Sequence, residues 1–330
     1  MLPRHSARSG VLLGTILVLL NVLVVCRADG VDLGEARRLS EETLRRPAGA
    51  LAAQTLRQNL IKSHRCSSRS FSFKSCPDIK VLSMNVWDNL SHSPTGAWDT
   101  AQLIKELKPD IVCFQEIDSD VLKHVNSHVG SEYTSSIQPN LQPGSLGVGI
   151  LSRLGVAKTY EPKSRGSFQV PRLQAIKVEG MIPFRVVNAH LYPDPRATLM
   201  LSEGDLAEEV ISKVEQTQKV NGIYSVMNLI VDSTAHERTL PTLFVGDLNM
   251  PSTLDHTAKS TKEYAHMRHA DVVALSWPVS RELQKAQFVD TFRHVHPDAN
   301  TQPGFTYPAD GSGDKISDRI DYIYVRDGSH

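Results

Sequence analysis

The sequence predicts an α/β protein in which β-sheets pack against one another. Apolar runs of strand length recur from residue 79 to the end of the chain, and few helix-like segments separate them. A regular βαβ winding would place a helix after each strand, so this order favours packed sheets. The 330 residues are 40% hydrophobic and 22% charged, which is enough to bury a full core.

The strand-like segments follow one another from residue 79 onward. Residues 79–87 (IKVLSMNVW) precede a helix-like segment at 98–110, which leads to a second strand-like run at 111–117 (IVCFQEI). The later strand-like runs are 147–152, 168–180, 182–192, 242–249 and 318–325. In residues 201–232 the apolar positions recur every three or four residues, which is typical of a long amphipathic helix.

The N-terminus has the layout of a secretory signal peptide. Arg4 and Arg8 precede an apolar run at residues 11–25, and small residues follow around Ala28. We therefore expect residues 1–28 to be a signal peptide and the protein to enter the secretory pathway. The alternative is a retained membrane anchor, but the run is shorter than the ~20 apolar residues that a transmembrane helix needs.

Residues 29–76 are predicted to be a helical leader or propeptide that precedes a domain at 77–330. The alternative is a surface helix packed on that domain. The leader has nine basic and five acidic residues, which would suit a solvated face or a tether to an anionic surface. Residues 77–330 contain 24 basic and 31 acidic residues. Their net charge of −7 does not favour an extended surface that binds nucleic acid.

Three features bear on covalent chemistry in the secretory pathway. Cys66 and Cys76 could close a disulfide there or remain free, because spacing alone does not fix their geometry. Cys113 lies within an apolar run and is expected to be buried. Asn89 begins an Asn-Leu-Ser glycosylation sequon. No Cys-x-x-Cys pair or Cys/His cluster in the sequence indicates zinc.

Polar residues stand at the ends of most of these strand-like segments. Each one taken singly has a structural interpretation, as a turn cap, a solvated carboxylate or a core histidine. Together they form a set of hard oxygen ligands and hydrogen-bond donors suited to Mg²⁺ or Mn²⁺ beside a phosphoryl group. The set is Asn85, Gln115, Glu116, Asn188, His190, Asp247, Asn249, Asp318, Arg319 and Asp321.

The motifs MNVW, QEI, NAHL, GDLN and DRIDYI occur in this order between residues 84 and 323. In this set the sequence resembles the endonuclease/exonuclease/phosphatase superfamily, which includes deoxyribonucleases, abasic-site endonucleases, inositol-polyphosphate 5-phosphatases and neutral sphingomyelinases. Residues 246–257 and 276–309 further resemble a secreted branch of it. The resemblance implies a two-sheet β-sandwich flanked by helices, a four-layer α/β/β/α fold of the deoxyribonuclease type.

The resemblance also implies roles for individual residues. Glu116 and Asn85 would hold the metal, and Asp247 would activate the attacking water. Asn249 would bind a phosphate oxygen, while His190 would stabilise the transition state. Asp321 would orient a catalytic histidine near the chain end. Asn188 and Arg319 would contact the substrate or support the residues that do. Gly246 would leave room for phosphate to approach Asp247.

The sequence departs from the family pattern at its end. Family members close with a Ser-Asp-His motif and a further strand, whereas this sequence stops at His330, nine residues after Asp321. A strand advances ~3.3 Å per residue, so His330 would lie far from the metal unless the chain doubles back. We therefore expect a C-terminally incomplete domain that lacks the final strand and is nearly inactive.

These observations lead to two hypotheses about function. The first is a secreted Mg²⁺- or Mn²⁺-dependent phosphoesterase, monomeric and without a stable protein partner, whose substrate is a nucleic acid, a lipid head group or a small molecule. The second is a catalytically impaired fragment or isoform that serves as a binding module. Dependence of turnover on the metal and on Asp247 would distinguish the two.

Overall fold

The structure is a computed structural model. It describes residues 19–26, 60–62, 79–139, 141–160, 172–179, 183–193, 207–216, 238–256, 275–307 and 318–327, together with 197, 200, 201, 222–225, 227 and 228. Cys66, Cys76 and His330 lie outside the described residues, as does most of the predicted leader. The predictions made for them remain predictions.

Twelve strands form two sheets within the described part of the chain. The first sheet contains β1 (Leu19–Cys26), β2 (Leu60–Lys62), β3 (Ile79–Asn85), β4 (Ile111–Ile117), β5 (Thr134–Ile137) and β6 (Gly147–Ser152). The second contains β7 (Val156–Tyr160), β8 (Arg172–Val178), β9 (Phe184–His190), β10 (Thr242–Asp247), β11 (Val289–Asp290) and β12 (Asp321–Arg326). Their spatial orders are β2-β1-β3-β4-β6-β5 and β11-β12-β10-β9-β8-β7.

The helices lie between strands in the chain. They are α1 (Gly96–Leu107), α2 (Ser119–Val129), α3 (Ala207–Glu215), α4 (Pro278–Lys285) and α5 (Thr291–Val295), with a short 3₁₀ segment at Asp88–Leu90. The Asp118 carboxylate caps α2 by accepting hydrogen bonds from the amides of Asp120 and Val121. Among the residues described, no helix is both long and apolar enough to cross a membrane.

Three apolar clusters define the layers. One lies between the sheets and joins residues such as Val81 and Ile150 of the first sheet to Val186 and Val245 of the second. The other two lie on the outer faces, one with α1 and α2 against the first sheet and one with α3 and α4 against the second. Because side chains alternate along a strand, each central strand supplies an inner and an outer cluster. The predicted four-layer α/β/β/α sandwich is confirmed.

Several predicted elements have different limits in the structure. The described part of the amphipathic segment at 201–232 includes the helix Ala207–Glu215. The last predicted strand begins at Asp321, and Asp318 instead forms an isolated bridge with Tyr307. The backbone of β1, within the predicted signal peptide, pairs antiparallel with β3 from Leu19–Asn85 to Cys26–Ile79. Cleavage after residue 28 stays a prediction, and it would uncover that edge of β3. Cys113 is fully buried, as expected.

Candidate active site

The carboxyl ends of four strands meet at one edge of the sandwich. Strands β3 and β4 run parallel in the first sheet, and β9 and β10 run parallel in the second. Their ends carry Asn85, Glu116, His190 and Asp247, all of which the sequence predicted for the site. A hydrogen bond between Asn85 Nδ2 and Asp247 Oδ2 (2.9 Å) joins the two sheets at this point. The predicted cluster is therefore assembled.

Asn85 is the centre of this cluster. Its Nδ2 donates to Glu116 Oε1 at 2.9 Å as well as to Asp247, so one amide bridges both carboxylates. Its Oδ1 accepts from the Trp87 amide at 2.9 Å, which fixes the orientation of the side chain. Asn85 thus holds two like charges close together by donating to both.

A β-bulge aims Glu116 at the edge of the sheet. The pairing of β4 with β6 shifts register between Gln115 and Ile117, and Glu116 there has a φ of 60°. A bulge redirects the side chain of the extra residue. This explains why Glu116 is half-buried although every other residue of the strand is buried. Its Oε2 accepts from the Asp88 amide at 2.8 Å, so both carboxylate oxygens are positioned.

His190 faces both carboxylates through Nε2. That atom lies 3.8 Å from Glu116 Oε1 and 3.9 Å from Asp247 Oδ2. Arg172, opposite His190 in the β8–β9 pairing, places its Nη1 3.3 Å from Nδ1. Because arginine only donates, Nδ1 must accept, and the proton of the neutral ring lies on Nε2. Burial lowers the pKa of His190, opposed by Asp247 and Glu116, so the neutral form prevails at pH 7.

Asp247 is buried at the end of β10 and has a raised pKa. Burial is the main cause and Glu116 adds to it, while His190, Asn85 and Asn249 act in the opposite direction. Asp247 Oδ1 accepts from the Asn249 amide at 2.8 Å, and Asn249 has a φ of 50°. Asn249 Nδ2 in turn donates to the Leu191 carbonyl at 2.9 Å. This turn holds the acid and the amide side by side, as the GDLN motif predicted.

Gly246 is required by a backbone contact that the sequence did not predict. It has a φ of 142°, and a Cβ placed there would stand 1.9 Å from the carbonyl oxygen of Ala189 on β9. The glycine therefore allows two neighbouring strands to pair beneath the site. The expectation that it also clears a path for phosphate stays a prediction.

The donor set fits one hard divalent cation. Within the described ranges, no three His, Cys, Asp or Glu side chains are gathered as a ready-made metal cage. Mg²⁺ does not need one, since it usually keeps several waters and binds one or two carboxylates. Glu116 supplies a half-buried carboxylate at this edge. The buried Asn85 directs Nδ2 at both carboxylates and Oδ1 at the Trp87 amide, so the metal-binding roles of the two residues stay predictions.

Three other predicted residues lie at or behind this cluster. Asn188 is fully buried, donates to the Phe114 and Gly149 carbonyls, and accepts from Gln115. These bonds tie the two sheets together, and they favour a supporting role over contact with substrate. Asp321 is buried and pairs with Asp247 across β10 and β12, next to the acid. The histidine that it was expected to orient is not among the described residues.

Arg319 is also buried behind the cluster. Its guanidinium donates to Asp255 and Asp290, with contacts of 2.8 and 2.6 Å from Nη2. Burial opposes the charge, but these two carboxylates raise the pKa of Arg319 well above its usual value. Of the two roles expected for this residue, the bonds favour support of the site over direct contact with substrate.

Two features near the cluster were not predicted. Arg172 sets the tautomer of His190, and only the strand register reveals this contact. The other is a left-handed loop at Trp87–Leu90, where four consecutive residues have positive φ between 46° and 63°. Asn89 fastens the loop, because its amide donates to Asp118 Oδ2 and accepts from the Asp118 amide. The sequon pattern indicates only glycosylation at Asn89, which stays a prediction.

Comparison with known proteins finds matches in both sequence and structure. The model of the endonuclease/exonuclease/phosphatase family matches residues 82–216. An uncharacterized Caenorhabditis elegans protein is 22% identical over 78% of this chain and 82% of its own. An AP endonuclease from Archaeoglobus fulgidus is 17% identical over 75% of this chain and 86% of its own, with a TM-score of 0.45. Truncated TDP2 from Caenorhabditis elegans is 18% identical over 70% and 76%, with a TM-score of 0.42.

The matched segment contains Asn85, Glu116 and His190, and β10 brings Asp247 to them from outside it. The family model therefore coincides with three of the four residues that the fold assembles at the sheet edge. By this match and by its ordered motifs, the chain is similar to the endonuclease/exonuclease/phosphatase family.

Proposed function

We propose that this protein hydrolyses a phosphoester by attack of water, with a divalent metal ion at the edge of the sandwich. The observation that supports it is the convergence of Glu116, Asn85, His190 and Asp247 on one point at the strand ends. The match to the family model over residues 82–216 supports a phosphoric ester hydrolase of the phosphodiesterase or nuclease type. The identity of the metal, Mg²⁺ or Mn²⁺, is part of the proposal.

Asp247 is suited to orient and deprotonate the attacking water. Its raised pKa makes the carboxylate a stronger base than an exposed aspartate, and two hydrogen bonds fix its direction. In the reaction the water oxygen forms a bond to phosphorus, its proton passes to Asp247, and the ester oxygen leaves. Holding the acid rigidly reduces the entropy that is lost on reaching this geometry.

His190 is suited to stabilise the charge on the phosphoryl oxygens. Its Nε2–H faces the cluster, because Arg172 donates to the opposite nitrogen. A neutral imidazole N–H can donate to an oxygen whose negative charge grows in the transition state. Asn249 lies beside Asp247, because its backbone amide donates to Asp247 Oδ1, and its side-chain amide would bind a phosphate oxygen there.

Glu116 and Asn85 would hold the metal at this site. When bound, such an ion neutralises charge on the phosphate and polarises its oxygens. The β-bulge and the Asp88 amide keep the Glu116 carboxylate pointed outward, which suits an ion that shares its coordination shell with substrate and water.

Two exposed aromatic side chains stand close to the site in the chain. Trp87 is 46% exposed two residues after Asn85, and Tyr192 is 53% exposed two residues after His190. Such rings offer an apolar or stacking surface to the part of a substrate beyond its phosphate. With the net charge of −7 over residues 77–330, they suit a compact phosphodiester or phosphomonoester better than a long polyanion.

The experiment compares turnover of a chromogenic phosphodiester and phosphomonoester by wild type and Asp247→Asn. We expect a loss of roughly 10²–10⁴-fold in the variant, and loss of wild-type activity on chelation that added Mg²⁺ restores. Asp120→Asn is the matched control, because the Asp120 side chain is 86% exposed on α2. Turnover that survives both chelation and Asp247→Asn would refute the proposal, whereas absence of turnover in every sample would favour the binding module.

The proposal includes passage through the secretory pathway. The layout of residues 1–28 supports it. The intact mass of the protein recovered from the medium, after removal of glycans, should correspond to a chain that begins near residue 29. Recovery of the uncleaved chain from cell membranes would instead indicate the signal anchor.

A further inference from the structure

Two histidines of α2 form a close pair away from the candidate active site. His124 and His128 are four residues apart, so they lie on the same face of the helix. Their Nε2 atoms are 2.9 Å apart and the ring centroids 4.7 Å apart. His124 is exposed and His128 is half-buried, while Leu122 and Val125 anchor α2 in the core.

The contact between the two nitrogens limits what the pair can hold. An imidazole nitrogen at this distance from another must share one proton with it, since two N–H groups would repel and two lone pairs would repel as well. A cation can take the place of that proton. Both rings then carry their hydrogens on Nδ1 and direct the Nε2 lone pairs at one point.

The distance selects among metals. Bonds from an imidazole nitrogen to a divalent ion are about 2.0–2.1 Å long. Two such bonds that span 2.9 Å enclose an angle of about 90°, whereas a tetrahedral ion would need about 3.3 Å between the nitrogens. Right angles are typical of square-planar or tetragonal Cu²⁺ and Ni²⁺, which imidazole ligands favour.

We propose that His124 and His128 form a second metal site that chelates a divalent transition metal, Cu²⁺ or Ni²⁺ in preference to Zn²⁺. Water completes the coordination. The site differs in chemistry from the strand-end cluster, because its ligands are two neutral nitrogens rather than the hard oxygens that Mg²⁺ takes. The proposal therefore does not depend on the phosphoesterase activity. Two histidines four residues apart on one helical face can bind one transition-metal ion together.

The test is a calorimetric titration of the full chain with Ni²⁺ in excess Mg²⁺. Wild type is compared with His124→Gln, His128→Gln and the double variant. Joining two ligands on one rigid helix strengthens binding, so we expect either single change to weaken Ni²⁺ binding by roughly 10²-fold. The double variant, which lacks both ligands, should bind Ni²⁺ at this position more weakly than either single variant. His92→Gln is the matched control, since His92 is also exposed and its loss should leave the affinity unchanged.

Electron paramagnetic resonance of one equivalent of Cu²⁺ provides a second measurement. We expect hyperfine coupling to two equivalent nitrogens in wild type and a changed spectrum in each single variant. Circular dichroism should show that α2 remains folded, because both rings lie on its surface. Equal Ni²⁺ affinity in all four proteins would overturn the proposal by assigning the binding to other histidines. If only one of the two single variants bound Ni²⁺ more weakly, the two histidines would not act as a chelate and the proposal would be overturned.

Discussion

At the scale of single residues, Gly246 is the position where a side chain is least tolerable. We expect Gly246→Ala to destabilise the protein by about 4 kcal/mol, because its Cβ would collide with the Ala189 carbonyl. Urea unfolding measures the change. Gly144→Ala is the control, since Gly144 also has a positive φ, 73°, but a Cβ added there would meet nothing within 4 Å. It should cost about 1 kcal/mol from backbone strain alone. Equal decreases in the free energy of unfolding in Gly246→Ala and Gly144→Ala would show that the added Cβ does not collide with Ala189.

His190 and Asp247 together set the expected pH dependence. Burial lowers the pKa of His190 from 6.5 and raises that of Asp247 from 3.8. The neutral imidazole and the ionised carboxylate that the reaction needs are therefore both present at neutral pH. As the pH falls, His190 gains a charge and Asp247 loses its basicity, and both changes reduce turnover. We expect kcat/KM to be flat around neutral pH and to fall on acidification, as His190 gains a proton and Asp247 is neutralised. A rise in kcat/KM between about pH 7 and 5.5 would show that protonated His190 is the active form.

At the scale of elements, the left-handed loop Trp87–Leu90 supports Glu116. Left-handed backbone costs roughly 1–2 kcal/mol for each non-glycine residue, so the loop needs its anchors. These are the paired hydrogen bonds of Asn89 with Asp118 and the bond from the Asp88 amide to Glu116. Because Asp118 also caps α2, loop and helix are fixed by one carboxylate.

We expect Asn89→Ala to lower kcat/KM by roughly 10²-fold, because a small displacement of Glu116 misaligns the site. Asn89→Gly should lose similar activity but be more stable than Asn89→Ala by about 1 kcal/mol, since glycine accepts the positive φ. Ser91→Ala is the control, because it removes the sequon and keeps the Asn89–Asp118 pair. If Ser91→Ala loses as much activity as Asn89→Ala, a glycan and not the loop geometry is responsible.

At the scale of the whole molecule, a buried ion network joins segments that are distant in sequence. Arg319 precedes β12 and bonds Asp255, which follows β10, and Asp290, which caps α5. Arg293 of α5 also donates to Asp255. Burial favours a neutral Asp255, but Arg319 and Arg293 outweigh it and lower the pKa of that carboxyl. The network holds the loop after the GDLN turn against the second sheet.

Removing one partner of this network leaves buried charges without compensation. We expect Arg319→Met to cost about 3–5 kcal/mol in the free energy of unfolding at pH 7. Arg281→Met is the matched control, because Arg281 pairs with Glu215 and Glu282 at a partly exposed position and should cost at most about 1 kcal/mol. Similar losses in the two variants would show that Arg319 contributes no more than a surface ion pair.

The sequence by itself determined the layered α/β class and four of the residues that meet at the site. Strand-length apolar runs are local patterns, and a polar residue that ends a buried strand is visible without the fold. Asn85, Glu116, His190 and Asp247 could therefore be named in advance. Their joint role followed from the ordered motifs and the family resemblance, because parallel pairing explains only the pairs Asn85–Glu116 and His190–Asp247 within each sheet.

The tertiary structure alone decided how those residues are aimed and supported. Asn85 and Asp247 are 162 positions apart, and no local pattern encodes their hydrogen bond. Strand register places Arg172 opposite His190, a bulge turns Glu116 outward, and the approach of β9 explains Gly246. Such contacts depend on which strands pair and in what register, and packing across the whole molecule fixes that choice.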